Sequence, residues 1–380
     1  MQGASRRREM SRSLRAAYDA RFSLGHYRGM GRFLRLLIDG REKDFLGLCA
    51  SGEGAPSLNL IASGPRFYPL WEQFSVPRLL RKQNIEVFLA PYNTAPLRLP
   101  RAVRLVLVVH DLIFLDRLPL SRSLYQNAGS LYRRLVVPQA VRRSHVIVTV
   151  SRYTSNRLTA VLGVAPSRIR VIPNSLDEAW FFADTAHKTA HRYVLVVAGE
   201  APSKNLPRGL AAFARCVSLL KDDSLELKVA GVKEKFHRLF RAEARRLGVA
   251  DRVDFLRYLP DEEMRPLYRN ATLFLMPSLA EGFGIPLLEA MASGTPVAAS
   301  ASTCLQEVGG NAVRYFDPIS IEDMAATMRD ILTNPALQAA MSEAGCVQAK
   351  KFHPTLVRQQ VNSFWTELES ARAPGELALR

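Results

Sequence analysis

Residues Ser278–Ser293 read SLAEGFGIPLLEAMAS, and this stretch decides the fold. Two carboxylates, Glu281 and Glu289, stand on either side of a glycine-rich turn. An apolar run, Thr272–Met276, precedes it and reads as a strand. Pro286 falls where an early helical residue belongs, and Leu287, Leu288 and Met291 give a helix its buried side. Gly294 follows as a C-cap with Pro296 just beyond, and Pro296–Ala299 reads as the next strand. The unit is strand, loop, helix, strand, and its loop ends at a helix N-terminus. The unpaired N–H groups and partial positive charge of such an end favour phosphate. A phosphate flanked by hydroxyl-rich neutral groups suits one carboxylate before the helix and one a turn inside it.

Outward from that unit the chain alternates strands and helices. Strands are expected at Leu58–Ala62, Glu86–Ala90, Leu105–His110, Val146–Val150, Ile169–Ile172, Tyr193–Ala198, Leu225–Val229 and Val253–Leu256. Helices are expected at Arg32–Ile38, Leu124–Arg142, Leu206–Leu220, Lys233–Leu247 and Asp261–Tyr268, with three more at Ile321–Leu332, Pro335–Ala344 and Pro354–Ser370. Alternation of this kind implies parallel sheets, and doubly wound sheets bind ligands at the carboxyl ends of their strands. The expected organisation is a cationic tail at 1–14, a first Rossmann-like domain at 15–175, a second at 190–350 and a final helical segment at 351–380.

Composition bounds the chemistry. The chain has 380 residues, 48% hydrophobic and 23% charged, enough for two cores. No run approaches the roughly 18 apolar residues that cross a bilayer, and arginines interrupt the start where a signal-peptide core would lie. Cys49, Cys216, Cys304 and Cys346 lie far apart, without metal-ligand spacing, which fits a reduced cytoplasmic protein. The net charge is +17, and residues 1–185 hold 28 Lys and Arg against 13 Asp and Glu, the remainder 24 against 22. The first half is thus expected to meet an anionic surface, a genome rich in arginine codons being the other source of such a balance. The arginines are dispersed and no basic motif is interleaved with aromatics, so nucleic acid is not the expected partner.

The string Pro-Ser-x-x-Glu-Gly-Phe-Gly-x-Pro-x-x-Glu-Ala-Met-Ala-x-Gly-x-Pro-Val resembles the Glu-x7-Glu signature of the retaining glycosyltransferases of family 4. Other segments resemble that family in order. They are Tyr18–Arg21 with Gly29-Met30-Gly31-Arg32-Phe33, Val109-His110-Asp111-Leu112, Pro202-Ser203-Lys204-Asn205, Phe255–Pro260, Glu307–Gly310 and Phe316-Asp317-Pro318. The resemblance implies a GT-B fold, two Rossmann-like doubly wound domains facing a central cleft, with the last helix crossing back to the first domain. It implies His110 and Glu281 as catalytic residues that contact the transferred sugar. It places the donor against Gly29, Gly31, Lys204, Arg257, Tyr258, Gly282, Phe283, Gly284, Ile285 and Glu289, the last on the ribose. Lys204 pairs with the diphosphate, whose charge grows as the bond breaks. Ser203 stands where the family usually has arginine, and Arg257 where it usually has glycine. No metal site is expected, because no Asp-x-Asp motif is present, and no cofactor beyond the nucleotide-sugar substrate. Mannosyltransferase-like members share the opening loop and His-Asp pair, so GDP-mannose leads over UDP- or dTDP-sugars. The expected acceptor is a lipid-linked glycan of exopolysaccharide or O-antigen synthesis, met at the inner face of the plasma membrane. An inactive GT-B scaffold that only binds partners is the alternative.

Overall fold

The computed structural model describes residues 15–21, 29–53, 59–116, 124–181, 192–222 and 224–371. The expected cationic tail at 1–14 lies outside the described residues, as do residues 182–191 between the two sheets.

Seven strands form the first sheet: β1 (Ala16–Asp19), β2 (Phe45–Cys49), β3 (Leu60–Ala62), β4 (Val87–Ala90), β5 (Arg104–Val109), β6 (Val146–Thr149) and β7 (Ile169–Val171). Six form the second: β8 (Tyr193–Val197), β9 (Glu226–Ala230), β10 (Val253–Phe255), β11 (Leu273–Met276), β12 (Val297–Ser300) and β13 (Arg314–Phe316). The orders are β3-β2-β1-β4-β5-β6-β7 and β10-β9-β8-β11-β12-β13, parallel throughout. In both, the order reverses beside the first strand, so the crevice for a ligand opens between β1 and β4 and between β8 and β11. This is the α/β GT-B architecture. The central strands are unbroken apolar runs because helices cover both faces. Leu105, Val106, Leu107, Val108 and Val109 of β5 are all fully buried.

β2 was not among the expected strands, because Gly47 interrupts an already short apolar run. The glycine gives room for neighbours: a Cβ would run into Leu60 Cδ2 of β3 and meet the Tyr18 hydroxyl of β1 at 3.2 Å, so the Leu60 side chain would have to shift. The Arg152–Leu162 helix is another addition. It carries a polar sequence, but Ser151 caps it by accepting from the Thr154 amide, and Gly163 ends it at φ +66°. A further addition is the Val76–Lys82 helix, which continues a π-helical turn at Trp71–Ser75.

The helix Ile285–Ala292 is buried all round, at Leu287, Leu288, Ala290 and Met291 as well as at Glu289. A helix without a polar face must sit centrally. Glu289 is then a carboxylate forced into the interior, and it is held by specific partners.

The two halves meet over an apolar cluster that includes Ile172, Leu176, Trp180, Tyr268, Phe283 and Leu288. Polar contacts fix the register. The Glu307 carboxylate accepts from the Arg152 and Tyr153 amides at 2.8 and 3.0 Å, so a residue of the second half caps a helix of the first. The last helix, Pro354–Ser370, lies on the first half. Its Trp365 donates to the Leu37 carbonyl at 2.7 Å and meets the Phe45 ring at 5.1 Å. Leu368 and Ala371 accept from Arg104. Trp365 is 2% exposed, so Trp365→Ala removes a fully packed ring and leaves the Leu37 carbonyl unpaired. The expected cost is about 3–5 kcal/mol, read as a fall in the urea midpoint. A loss under about 1 kcal/mol would show that the terminal helix is not integral to the fold.

Candidate functional site

The loop after β11 positions Glu281. Its carboxylate accepts from Lys204 Nζ at 2.8 and 3.1 Å and from Ser278 Oγ at 2.7 Å. Its amide donates to Thr303 Oγ1 at 3.2 Å, and its carbonyl accepts from Cys304 Sγ at 3.3 Å. Glu281 is only 9% exposed, so its charge is costly unless paired, and the lysine and serine supply the pairing. Lys204 comes from the short turn Pro202–Lys204 after β8. That turn is stitched to the β11 loop twice. The Leu279 amide donates to the Ser203 carbonyl at 2.7 Å, and Asn205 Nδ2 donates to the Pro277 carbonyl at 2.9 Å. Ser203 thus contributes its backbone here.

The glycines turn the loop into the helix. Gly284 sits at φ +94°, a conformation that a side chain would strain, and a Cβ there would lie 2.6 Å from Leu305 Cδ2. The helix that begins at Ile285 has no side-chain cap, and Pro286 lies in its first turn. Pro286 has no N–H, and the Leu287 and Leu288 amides bond the Gly284 carbonyl at 3.0 and 3.2 Å, so the donors offered beside Glu281 are the Gly284 and Ile285 amides. On the same helix Glu289 accepts from Tyr268 Oη at 2.9 Å and faces Arg32 Nη1 at 3.5 Å. Arg32 also pairs with Asp261 at 2.5 Å. It belongs to the helix Met30–Ile38 of the first half, which begins after Gly29 at φ +73° and includes the buried Gly31. The Gly29–Gly31 turn thus delivers a guanidinium across the cleft to the second carboxylate.

The opposing wall is the end of β5. The His110 ring donates from Nε2 to the Pro91 carbonyl at 2.8 Å and lies edge-on to Phe33 at 5.4 Å. A carbonyl oxygen only accepts, so Nε2 carries the proton and Nδ1 keeps its lone pair. Burial pushes the imidazole pKa down to about 4, which keeps it neutral at pH 7. Burial likewise raises Asp111, and the Glu281 charge adds to that while Arg133 and Lys204 oppose it. Gly282 joins the two walls. A Cβ on it would be driven into the His110 carbonyl oxygen, and its own carbonyl accepts from Ser151 Oγ at 2.8 Å.

The structure therefore brings together His110, Lys204, Glu281, Gly282, Gly284, Ile285 and Glu289, with Gly29 and Gly31 supporting from below. Phe283 is 4% exposed and packs on Phe352, which makes it part of the floor. The Arg257 side chain turns away to Glu263 at 2.6 Å and to the Tyr258 carbonyl, on the surface. Tyr258 lines a cavity of about 1060 Å³ between the halves, with Arg32, Arg35, Pro260 and Asp261. That volume suits a nucleotide-sized ligand. Sequence reasoning missed Arg32, Ser278 and Thr303. Arg32 lay within the quoted glycine loop, but only the fold shows that it crosses to Glu289. Thr303 sits at φ +55°, unusual for a β-branched residue, and no local pattern announces it.

Comparison with known proteins agrees with this geometry. Residues 178–347 match the family described as glycosyl transferases group 1, and residues 38–180 match glycosyltransferase family 4. The chain is 29% identical over 204 residues to the MMP alpha-(1->4)-mannosyltransferase of Mycolicibacterium hassiacum, covering 52% of this chain and 47% of that protein. It is 36% identical over 113 residues to O-antigen chain mannosyltransferase B of Escherichia coli, covering 30% of each. It thus spans half or less of the length of these curated relatives. The solved sucrose-phosphate synthase of Thermosynechococcus elongatus superposes with a TM-score of 0.76 at 17% identity, over 95% of this chain and 100% of that one, which shows the shared fold. Two adjoining family matches, the signature loop and the paired Rossmann-like sheets lead to one conclusion: the chain belongs to the group 1, family 4 glycosyltransferases.

Proposed function

We propose that the protein transfers a mannosyl residue from GDP-mannose to a lipid-linked glycan at the inner face of the plasma membrane, in exopolysaccharide or O-antigen synthesis. The observation that carries the reading is the uncapped helix N-terminus at Ile285, set between two held carboxylates and facing His110. The Gly284 and Ile285 amides and Lys204 would take the donor diphosphate, supplying charge stabilisation where charge develops as the glycosidic bond breaks. Glu281, fixed by Ser278 and Lys204, would accept from hydroxyls of the transferred sugar. Glu289 would accept from the ribose, in place of its present contact with Arg32. The lone pair on His110 Nδ1 would accept from a sugar hydroxyl on the opposite side. The leaving phosphate would receive the acceptor's proton, so the sugar is delivered on the face from which the nucleotide departs, with retention. No metal or cofactor enters this scheme. The mannosyltransferase relatives support the choice of sugar, and the E. coli relative's description as an O-antigen chain enzyme supports the acceptor class.

Thermal unfolding of the purified protein with GDP, UDP and dTDP tests the donor. A nucleotide at about 100 times its Kd stabilises by roughly 2.7 kcal/mol, a rise of a few degrees. A rise with GDP alone supports the reading. A rise with UDP or dTDP alone replaces the donor, and none with any of them in folded protein overturns the site.

Two substitutions test the geometry, read by release of nucleotide from the sugar donor in the presence of a membrane extract that carries acceptor. Glu281→Gln is expected to lower kcat by about a hundredfold or more while the far-UV spectrum is unchanged. Gly282→Ala is expected to abolish turnover as fully, because its methyl group meets backbone, which has no rotamer to escape into. Normal turnover in Gly282→Ala would show that the two walls need not touch.

His110 generates a pH prediction. Its folded pKa, about 4, lies below the ordinary value of 6.5, so the neutral form is favoured by folding. The unfolded chain binds the proton first as pH falls, and the contribution present at pH 7 is lost between about 6.5 and 4. Urea midpoints at pH 7 and pH 5 should differ more in wild type than in His110→Gln, by up to roughly 2 kcal/mol. Equal differences would mean that the imidazole protonates freely in the folded protein.

A further inference from the structure

Five of the large apolar side chains that the protein exposes lie on two adjacent helical stretches of the first half. Phe67, Leu70 and Phe74 are 65, 47 and 56% exposed, and Leu131 and Leu135 are each 60% exposed. Phe67 enters the short helix Tyr68–Leu70, Leu70 ends it and Phe74 lies in the π-helical turn Trp71–Ser75 that continues it, while Leu131 and Leu135 are four apart on the helix Leu124–Arg143, so each set is exposed along one continuous stretch. The stripes continue into basic residues. Arg78, Arg81 and Lys82 extend the first, and Arg134, Arg142 and Arg143 accompany the second, all exposed.

The two stretches are held side by side from beneath. Tyr132, between the outward residues of the long helix Leu124–Arg143, meets the Tyr68 ring at 5.7 Å. Its hydroxyl donates to Glu72 at 2.5 Å and accepts from Gln73 Nε2 at 2.9 Å. Glu72, only 2% exposed, also accepts from Thr94 at 2.6 Å and from Tyr68. A buried carboxylate with this many donors ties both elements to the end of β4. The two apolar stripes are therefore one fixed patch. Each element begins at the carboxyl end of its preceding strand, β3 or β5, so the patch lies toward the cleft and the basic residues run away from it.

The occupant follows from charge. Between Ser63 and Lys82, and along Leu124–Arg143, the only carboxylate is the buried Glu72. Exposed phenylalanine and leucine flanked by arginine, with no exposed acid, match the interface of an anionic bilayer, where acyl chains take the apolar groups and headgroup phosphates the guanidinium groups. We propose that this face, Phe67, Leu70, Phe74, Leu131 and Leu135 with its arginine flank, docks the protein peripherally on an anionic lipid surface and so holds the cleft at the plane where a lipid-linked acceptor is presented. The last clause rests on the proposed function; the docking itself does not.

The test is sedimentation of the full chain with phosphatidylcholine vesicles, with and without phosphatidylglycerol, at low and high salt. Wild type is expected to bind only the anionic vesicles. Phe74→Ser/Leu135→Ser should lower the apparent partition constant about tenfold or more at both salts. Arg78→Ser/Arg81→Ser should lower it at low salt and flatten the salt dependence. Ile319→Ser/Val347→Ser, which removes exposed apolar groups of the second half, should bind as wild type does. The thermal response to nucleotide, measured on the same variants, should be unchanged, so a failed donor site and a failed docking face give different results. Wild type that ignores anionic vesicles overturns the proposal. So do patch variants that bind undiminished, which would assign binding to another surface. A dimer in sedimentation velocity that Phe74→Ser/Leu135→Ser dissociates overturns it too, since a second copy would then cover the face.

Discussion

The two halves of this protein meet backbone to backbone at Gly282, and the site exists because nothing stands between them there. Gly282 rests on the carbonyl oxygen of His110, and no other residue type fits. Ser151 pins the same residue from the first half, and Glu307 pins the neighbouring helix end from the second. A backbone contact of this kind admits little adjustment, because neither partner has a rotamer to change. It sets how far Glu281, one residue earlier, stands from Asp111, one residue after His110. Fixing those two residues fixes the width of the crevice in which both sheets end.

Within that width the charges are arranged as held pairs. Glu281 is engaged by Lys204 and Glu289 by Arg32, while the amides at the start of the Ile285–Ala292 helix lie between them. A buried carboxylate held by a cation is already ordered, so a hydroxyl-bearing ligand finds its acceptors in place and little freedom remains to be lost on binding. The two pairs differ in one respect. Lys204 belongs to the same half as Glu281, so that contact survives any relative movement of the halves. Arg32 belongs to the opposite half, and its contact with Glu289 and Asp261 reports how the halves are set. Any ligand hydroxyl that used Glu289 would therefore share that carboxylate with Arg32 or displace it.

Much of this was legible along the chain because the decisive features are local. The strand, glycine turn, proline and apolar helix of 272–292 specify one supersecondary unit, and its carboxylates fall where the unit puts them. The Leu206–Leu220, Ile321–Leu332 and Pro354–Ser370 helices appear with the expected bounds, since their apolar period and flanking residues agree. What escaped reading is long-range. The strand Phe45–Cys49 contains a glycine over which Leu60 and Tyr18 from two other strands pack. The reach of Arg32 to a carboxylate 257 positions away leaves no trace in the residues near either. Arg257 shows the converse. The strand Val253–Phe255 before it lies where one was expected, but whether a side chain faces a cleft or a surface glutamate is decided by the turn's exit, which spacing does not encode.

The charge imbalance between the halves has a physical source in the same layout. Arginine and lysine are nearly as frequent in the second half as in the first, 24 against 28, so a preference for arginine codons does not account for it. What differs is the carboxylates, 13 against 22. In the second half cations are matched by surface acids, as Arg215 is by Glu322 and Arg246 by Glu243. In the first half several of the fewer acids are drawn inward or into contacts with the last helix. Glu72 is buried, Asp19 is locked to Arg21, and Asp39 meets Arg358. The outer face of the Leu124–Arg143 helix is left with cations alone, and surface salt bridges there have no acidic partner to form with. Such a face keeps a positive potential into solution over about a Debye length. The second half can then remain nearly neutral, its cations matched by surface acids, while the first half carries the field that an anionic surface would meet first.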